Sequence, residues 1–168
     1  MKTFLSALLL LFAVVRRPDA AGNQVTQVQP ELDLPALSDS MQDLRSEERQ
    51  ILDDALRLIQ RKEHSLALVS LSRLVHENPK KAAFRVMRAY VLLQVGNSLG
   101  ALDDARIAEG SGLRRAYRCW FLAQVAFLAG DDKVCKREIR HVSKHPDYGP
   151  EAQRLGQELK TQKLKTKG

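Results

Sequence analysis

Ala55, Ala89 and Ala123 stand one fixed interval apart, 34 residues each time (89 − 55 and 123 − 89). Ala67, Ala101 and Cys135 keep the same interval, and so do Lys62, Gly96 and Gly130. Pro79, Leu113 and Asp147 fall in phase near the unit ends, with Pro146 one position early. A period of this size marks a stacked helical hairpin, in which each unit buries its apolar face only against its neighbours. The expected fold is therefore all-α: an α-solenoid of three helix-turn-helix repeats closed by a C-terminal capping helix. Aromatic residues are only 5% of the chain, which suits helices packed through Ala and Leu better than a sheet.

The units read as about 48–81, 82–115 and 116–149, with the cap at 150–165, inside a helical domain over 40–165. Ser40 and Ser46 both suit a helix start, and Asp43 follows Ser40 at the spacing of a capping box. Ile51, Leu52, Ala55, Leu56, Leu58 and Ile59 then recur at helical spacing before a turn at Lys62-Glu63. A second helix runs from about His64 to Glu77 and stops at Asn78-Pro79, because the residue before Pro avoids helical geometry. Gly96-Asn97 and Gly130-Asp131 are the later turns, where Gly takes the left-handed conformation that ends a helix. Gly110-Ser111-Gly112 and His145-Pro146 close the second and third units. Gly149-Pro150 opens the last helix, whose stripe of Ala152, Leu155 and Leu159 is expected to cover the third unit.

This pattern resembles the tetratricopeptide repeat. The family's marks are a small residue midway in the first helix, a Gly-Asp turn, a small residue early in the second helix and a Pro near the end. Here they stand as Ala55, Lys62-Glu63, Ala67 and Pro79; as Ala89, Gly96-Asn97, Ala101 and Leu113; and as Ala123, Gly130-Asp131, Cys135 and Pro146. Lys62 and Leu113 depart from the pattern. The resemblance implies that first helices line a concave face. By phase, that face takes Leu52, Leu56 and Ile59 from unit one, then Ala83, Val86, Tyr90 and Leu93 from unit two. Unit three contributes Tyr117, Trp120, Gln124 and Phe127. Lys80, Lys81, Arg114 and Arg115 fall between units and form a basic rim. A groove with aromatic anchors and a basic edge suits a protein or peptide partner with apolar and acidic residues. Two other covers stay open, since large apolar patches seldom remain bare: the chain's own segment Asn23–Ser38, and a second copy of the chain.

The start of the chain is a separate unit. Phe4 to Val15 is an apolar run broken only by Ser6, too short for the roughly 20 residues that span a bilayer as a helix. With Lys2 before it and Ala20, Ala21 and Gly22 after it, residues 1–21 read as a secretory signal. Arg16 and Arg17 directly after the run keep an uncleaved anchor open, and with it a membrane contact. Residues 22–39 carry Pro30 and Pro35 without helical period and read as an extended linker. Export would permit a bridge between Cys119 and Cys135. Their repeat positions are offset by one helical turn, which argues for two buried free thiols instead.

No constellation points to catalysis or to a cofactor. Asp53-Asp54 and Asp103-Asp104 are adjacent on helices and diverge. His141 and His145 lie one turn apart with no third ligand. There is no phosphate-cradling Gly loop and no nucleic-acid motif. The formal charge of +7 lies largely in the tail at Lys160, Lys163, Lys165 and Lys167, which reads as a solvated helix end. The expected function is a non-enzymatic adaptor, exported to the periplasm or outside the cell. The alternative is a cytoplasmic chaperone resembling the three-repeat type III secretion chaperones, which requires that residues 1–21 are not a signal.

Overall fold

A computed structural model of the chain describes residues 28, 30, 32–38, 41–108 and 113–165. Residues 1–21, read as a signal, Ser40 and the expected stop at Gly110-Ser111-Gly112 lie outside the described residues. The fold is all-α, and the described residues contain no strand. The helices are α1 (Leu34–Ser38), α2 (Ser46–Gln60), α3 (His64–Glu77), α4 (Ala82–Gln94), α5 (Ser98–Ile107), α6 (Arg115–Ala129), α7 (Asp132–Val142) and α8 (Gly149–Lys165). From α2 onward each helix packs on the next one in the chain, and α8 also reaches α6. No described helix is long and apolar enough to cross a membrane.

The three hairpin turns are built alike. Lys62, Gly96 and Gly130 have φ of 61°, 82° and 78°. In each turn the next residue's N–H reaches back to the helix: Glu63 to Leu58 O at 2.9 Å, Asn97 to Leu92 O at 2.8 Å and Asp131 to Ala126 O at 2.8 Å. A bond of shorter sequence span nests inside it, from the N–H groups of Lys62, Gly96 and Gly130 to the carbonyls of Ile59, Leu93 and Phe127. These are Schellman closures, which satisfy carbonyls that a helix end would otherwise leave bare. The second helix of each hairpin then starts at once. Asn97 Oδ1 accepts from Gly100 N–H at 2.9 Å and Asp131 Oδ1 from Val134 N–H at 3.0 Å. Glu63 at the same place in the first hairpin makes no such side-chain bond.

The small residues lie inside the packed pairs. Ala55, Ala89 and Ala123, with Ala67, Ala101 and Cys135, have no exposed surface at all. Short side chains at these points let two backbones approach while larger neighbours interlock. On α8, Ala152, Leu155 and Leu159 are buried, the stripe expected of a cap.

Two local expectations are corrected. Helix α2 is capped at Arg45, with Ser46 already its first residue. The Glu48 carboxylate accepts from the Arg45 backbone N–H at 2.9 Å and from the Arg45 guanidinium at 2.9 and 2.6 Å. This is the second half of a capping box; it recruits the arginine side chain where a serine hydroxyl was expected. Residues 34–38, read as part of an extended linker, form α1. Asp33 Oδ1 accepts from Ala36 N–H at 3.0 Å, and Pro35 in the first turn has no donor to lose.

Candidate functional site: the face of the first helices

The first helices of the three hairpins are α2, α4 and α6. Of the residues assigned to their common face, Leu52, Ile59, Val86, Tyr90, Leu93, Tyr117, Gln124 and Phe127 are buried, and Leu56 and Trp120 are half-buried. The apolar ones belong to, or pack against, one continuous cluster. These positions are therefore buried rather than open. Residues before α2 enter the same cluster: Ala36 and Leu37 are buried in it, and Val28, Leu32 and Leu34 pack against it.

Polar contacts fix that segment. The Asp33 backbone N–H donates to the Tyr117 hydroxyl at 3.3 Å. The Tyr148 hydroxyl donates to Asp33 Oδ2 at 2.7 Å. Tyr117 also lies 6.1 Å from Phe121 and 6.3 Å from Tyr148 between ring centroids. Burial pushes both tyrosine hydroxyls well above the ordinary phenol range, and the negative charge of Asp33 adds to the rise. Both stay protonated at neutral pH. Tyr148 stacks on His145 at 5.2 Å, and His145 Nδ1 accepts from Asp147 N–H at 3.3 Å.

The basic rim divides. Lys80, Arg114 and Arg115 are exposed. Lys81 is half-buried, and its Nζ donates to Asp43 O at 3.2 Å, pinning the approach to α2 against the start of α4. Arg114 is close enough to Tyr148 for its charge to oppose the rise at that hydroxyl.

Other charged residues turn out to be architectural. Asp104 is buried and bridges two arginines of α4: Arg88 Nε donates to Oδ2 at 2.6 Å, Arg88 Nη2 to Oδ1 at 2.7 Å and Arg85 Nη1 to Oδ1 at 3.2 Å. The signal was present in the sequence. Asp104 keeps helical spacing with Ala101, Ala105 and Ala108, on the side of α5 that packs, while Asp103 is exposed. Glu138 is buried with Arg137 Nε at 2.5 Å. Cys119 and Cys135 are buried free thiols. Burial pushes Cys135 up to about 12 and raises Cys119, with the nearby Glu138 carboxylate adding to the effect. The described residues contain no group of three or more His, Cys, Asp or Glu side chains placed to hold a metal ion.

Comparison with family models, with curated protein sequences and with solved structures gives no match for this chain.

Proposed function

We propose that the chain is a non-enzymatic protein-interaction module of the tetratricopeptide type, exported by its N-terminal signal. In this reading the three hairpins form a short solenoid, and a partner segment seats on the face of α2, α4 and α6. The observation that carries the reading is the contact of Asp33 with Tyr117 of α6, together with the burial of Ala36 and Leu37 in the same cluster as the first helices. A short segment of the chain is held by apolar packing and by the hydroxyls of Tyr117 and Tyr148, and helical repeats offer extended binding surfaces for such segments. Aromatic anchors at Tyr90, Tyr117 and Trp120 supply the kind of side chain that dominates binding energy at such faces. Export is supported by the apolar run Phe4–Val15 and the small residues after it.

The test uses the mature chain as bait. A partner recovered with the wild-type chain is expected to be lost with Trp120→Ala and with Tyr90→Ala while far-UV circular dichroism is unchanged. Equal recovery with both variants overturns the assignment of the face. Sequencing the N-terminus of the mature protein tests export: a start near Ala21 or Gly22 is expected, and a start at Met1 removes the signal reading.

A further inference from the structure

Asp33 is held between two tyrosines that arrive from different parts of the chain. Tyr117 is on α6 with only 1% of its surface exposed, and Tyr148 is in the turn that leads into α8. Together they contact two features of the segment they hold. Tyr148 donates to a carboxylate oxygen at 2.7 Å, and Tyr117 accepts a peptide N–H at 3.3 Å. The second carboxylate oxygen accepts from Ala36 N–H, so the carboxylate that Tyr148 holds also caps the helical turn that follows it. That turn in turn sinks Leu37, which has no exposed surface. A phenol donor in an apolar wall selects a charged acceptor, because hydrogen bonds to charged groups are the stronger kind.

The segment that fills this seat is held by Asp33 and by its own side chains, with Ala36 and Leu37 buried in the core cluster. None of the extensive helix pairings involves α1. It has 5 residues, far below the ~12–15 at which an isolated helix becomes even marginal. Its order therefore depends on the seat, as a bound peptide's does.

We propose that the Tyr117–Tyr148 pair is a binding seat for an aspartate in a partner's apolar segment, of the pattern Leu-Asp-Leu-Pro-x-Leu, and that Asp33 occupies this seat in cis. The proposal rests on the reading of the first-helix face as a partner surface. A partner displaces residues 28–38 rather than entering an open groove. A tethered copy competes at an effective concentration in the millimolar range, so the seat admits only a partner that binds well enough to outcompete it.

The test uses the full chain and a fluorescent synthetic peptide of residues 28–41, read by anisotropy. Leu37→Asp, which removes the tethered competitor, is expected to bind the peptide at least tenfold more tightly than the wild type. The same peptide carrying Asp33→Asn is expected to bind that variant about tenfold more weakly, as is the original peptide to the Leu37→Asp, Tyr148→Phe double variant. Equal binding of the two peptides overturns the carboxylate seat while leaving the face as a peptide surface. No binding of either peptide by any variant overturns both readings. Should Leu37→Asp lose helicity by circular dichroism, Asp33→Ala replaces it. A several-fold gain over the wild type is then expected, and no gain overturns the proposal. A wild-type chain that is dimeric by light scattering through exchange of residues 28–38 assigns the seat to a second copy, and also overturns it.

Discussion

Lys62 holds the left-handed backbone conformation that Gly96 holds in the next hairpin, φ 61° against 82°. The two residues make the same pair of closing bonds, back to Ile59 and Leu93 through their own N–H groups and to Leu58 and Leu92 through the residue that follows. A Cβ in this region costs about 1–2 kcal/mol. The turn persists at Lys62 because both of its helices are anchored elsewhere, Ile59 and Ala67 being buried in the cluster. Replacing the lysine by the residue the other turns use relieves the strain, partly offset by the greater freedom of glycine in the unfolded chain. Lys62→Gly is expected to stabilise the fold by about 1 kcal/mol. Gly96→Ala, with nothing crowding its added methyl, is expected to lose about 1 kcal/mol from backbone strain alone. Urea midpoints of the two variants, at an unchanged m-value, check both signs.

The thiols give a second prediction. Cys119 and Cys135 are both buried and both raised in pKa by that burial. Reactivity follows the thiolate and its access to reagent. Neither cysteine is expected to react with iodoacetamide in the native chain at pH 8, and both are expected to react in guanidinium. Mass spectrometry of trapped chain reads the outcome, and a native adduct on either residue contradicts the burial.

The hairpins were readable in the sequence because a helix pair repeats its constraints. A residue in a left-handed turn and a small residue on each helix must recur whenever the same packing does, and Ala55, Ala89 and Ala123 preserve that record even where Lys62 departs from it. The cover on the face was not readable in the same way. Helix α1 is shorter than two turns, too short to show a period, and its contacts run from Asp33 to Tyr117 and Tyr148, which are 84 and 115 residues away. The apolar lining of α2, α4 and α6 pointed first to a partner, and left a second copy and the chain's own segment open as covers. The cap of α2 was half visible: Glu48 stands at the right place for a capping box, but Arg45 is not a residue type that signals a cap.

Glu48 makes stability depend on acid. Its carboxyl is held down to about 2, from an ordinary 4.5, first by the Arg45 guanidinium and then by the Arg45 N–H. A group whose pKa falls on folding stabilises the native state above its unfolded value, and that stabilisation disappears as pH falls through the folded value. The contribution is therefore complete above about pH 4.5 and lost by about pH 2. Glu48→Gln is expected to melt at lower temperature than the wild type at pH 7 and to converge on it at pH 2. Thermal melts across that range measure the gap. A gap that stays constant with pH assigns the loss to packing rather than to the charge.

Asp104 and Asp103 are neighbours with opposite roles. Asp103 is exposed, and Asp104 places a buried carboxylate between Arg85 and Arg88. Removing one partner of a buried ion pair leaves the other charge short of its partner, and this typically costs 3–5 kcal/mol. The arginines here retain some solvent contact, at 15% and 23% of their side-chain surface, so the lower end applies. Asp104→Asn is expected to lose about 3 kcal/mol and Asp103→Asn less than about 0.5 kcal/mol. The two arginines should also differ. Arg88 makes two short bonds to both carboxylate oxygens, and Arg85 makes one at 3.2 Å. Arg88→Met is therefore expected to destabilise more than Arg85→Met, because only the first leaves Asp104 with a single long bond at a buried site. Chemical denaturation of the four variants measures the order. Equal losses at Asp103 and Asp104 would show that the bridge between α4 and α5 carries none of the stability assigned to it.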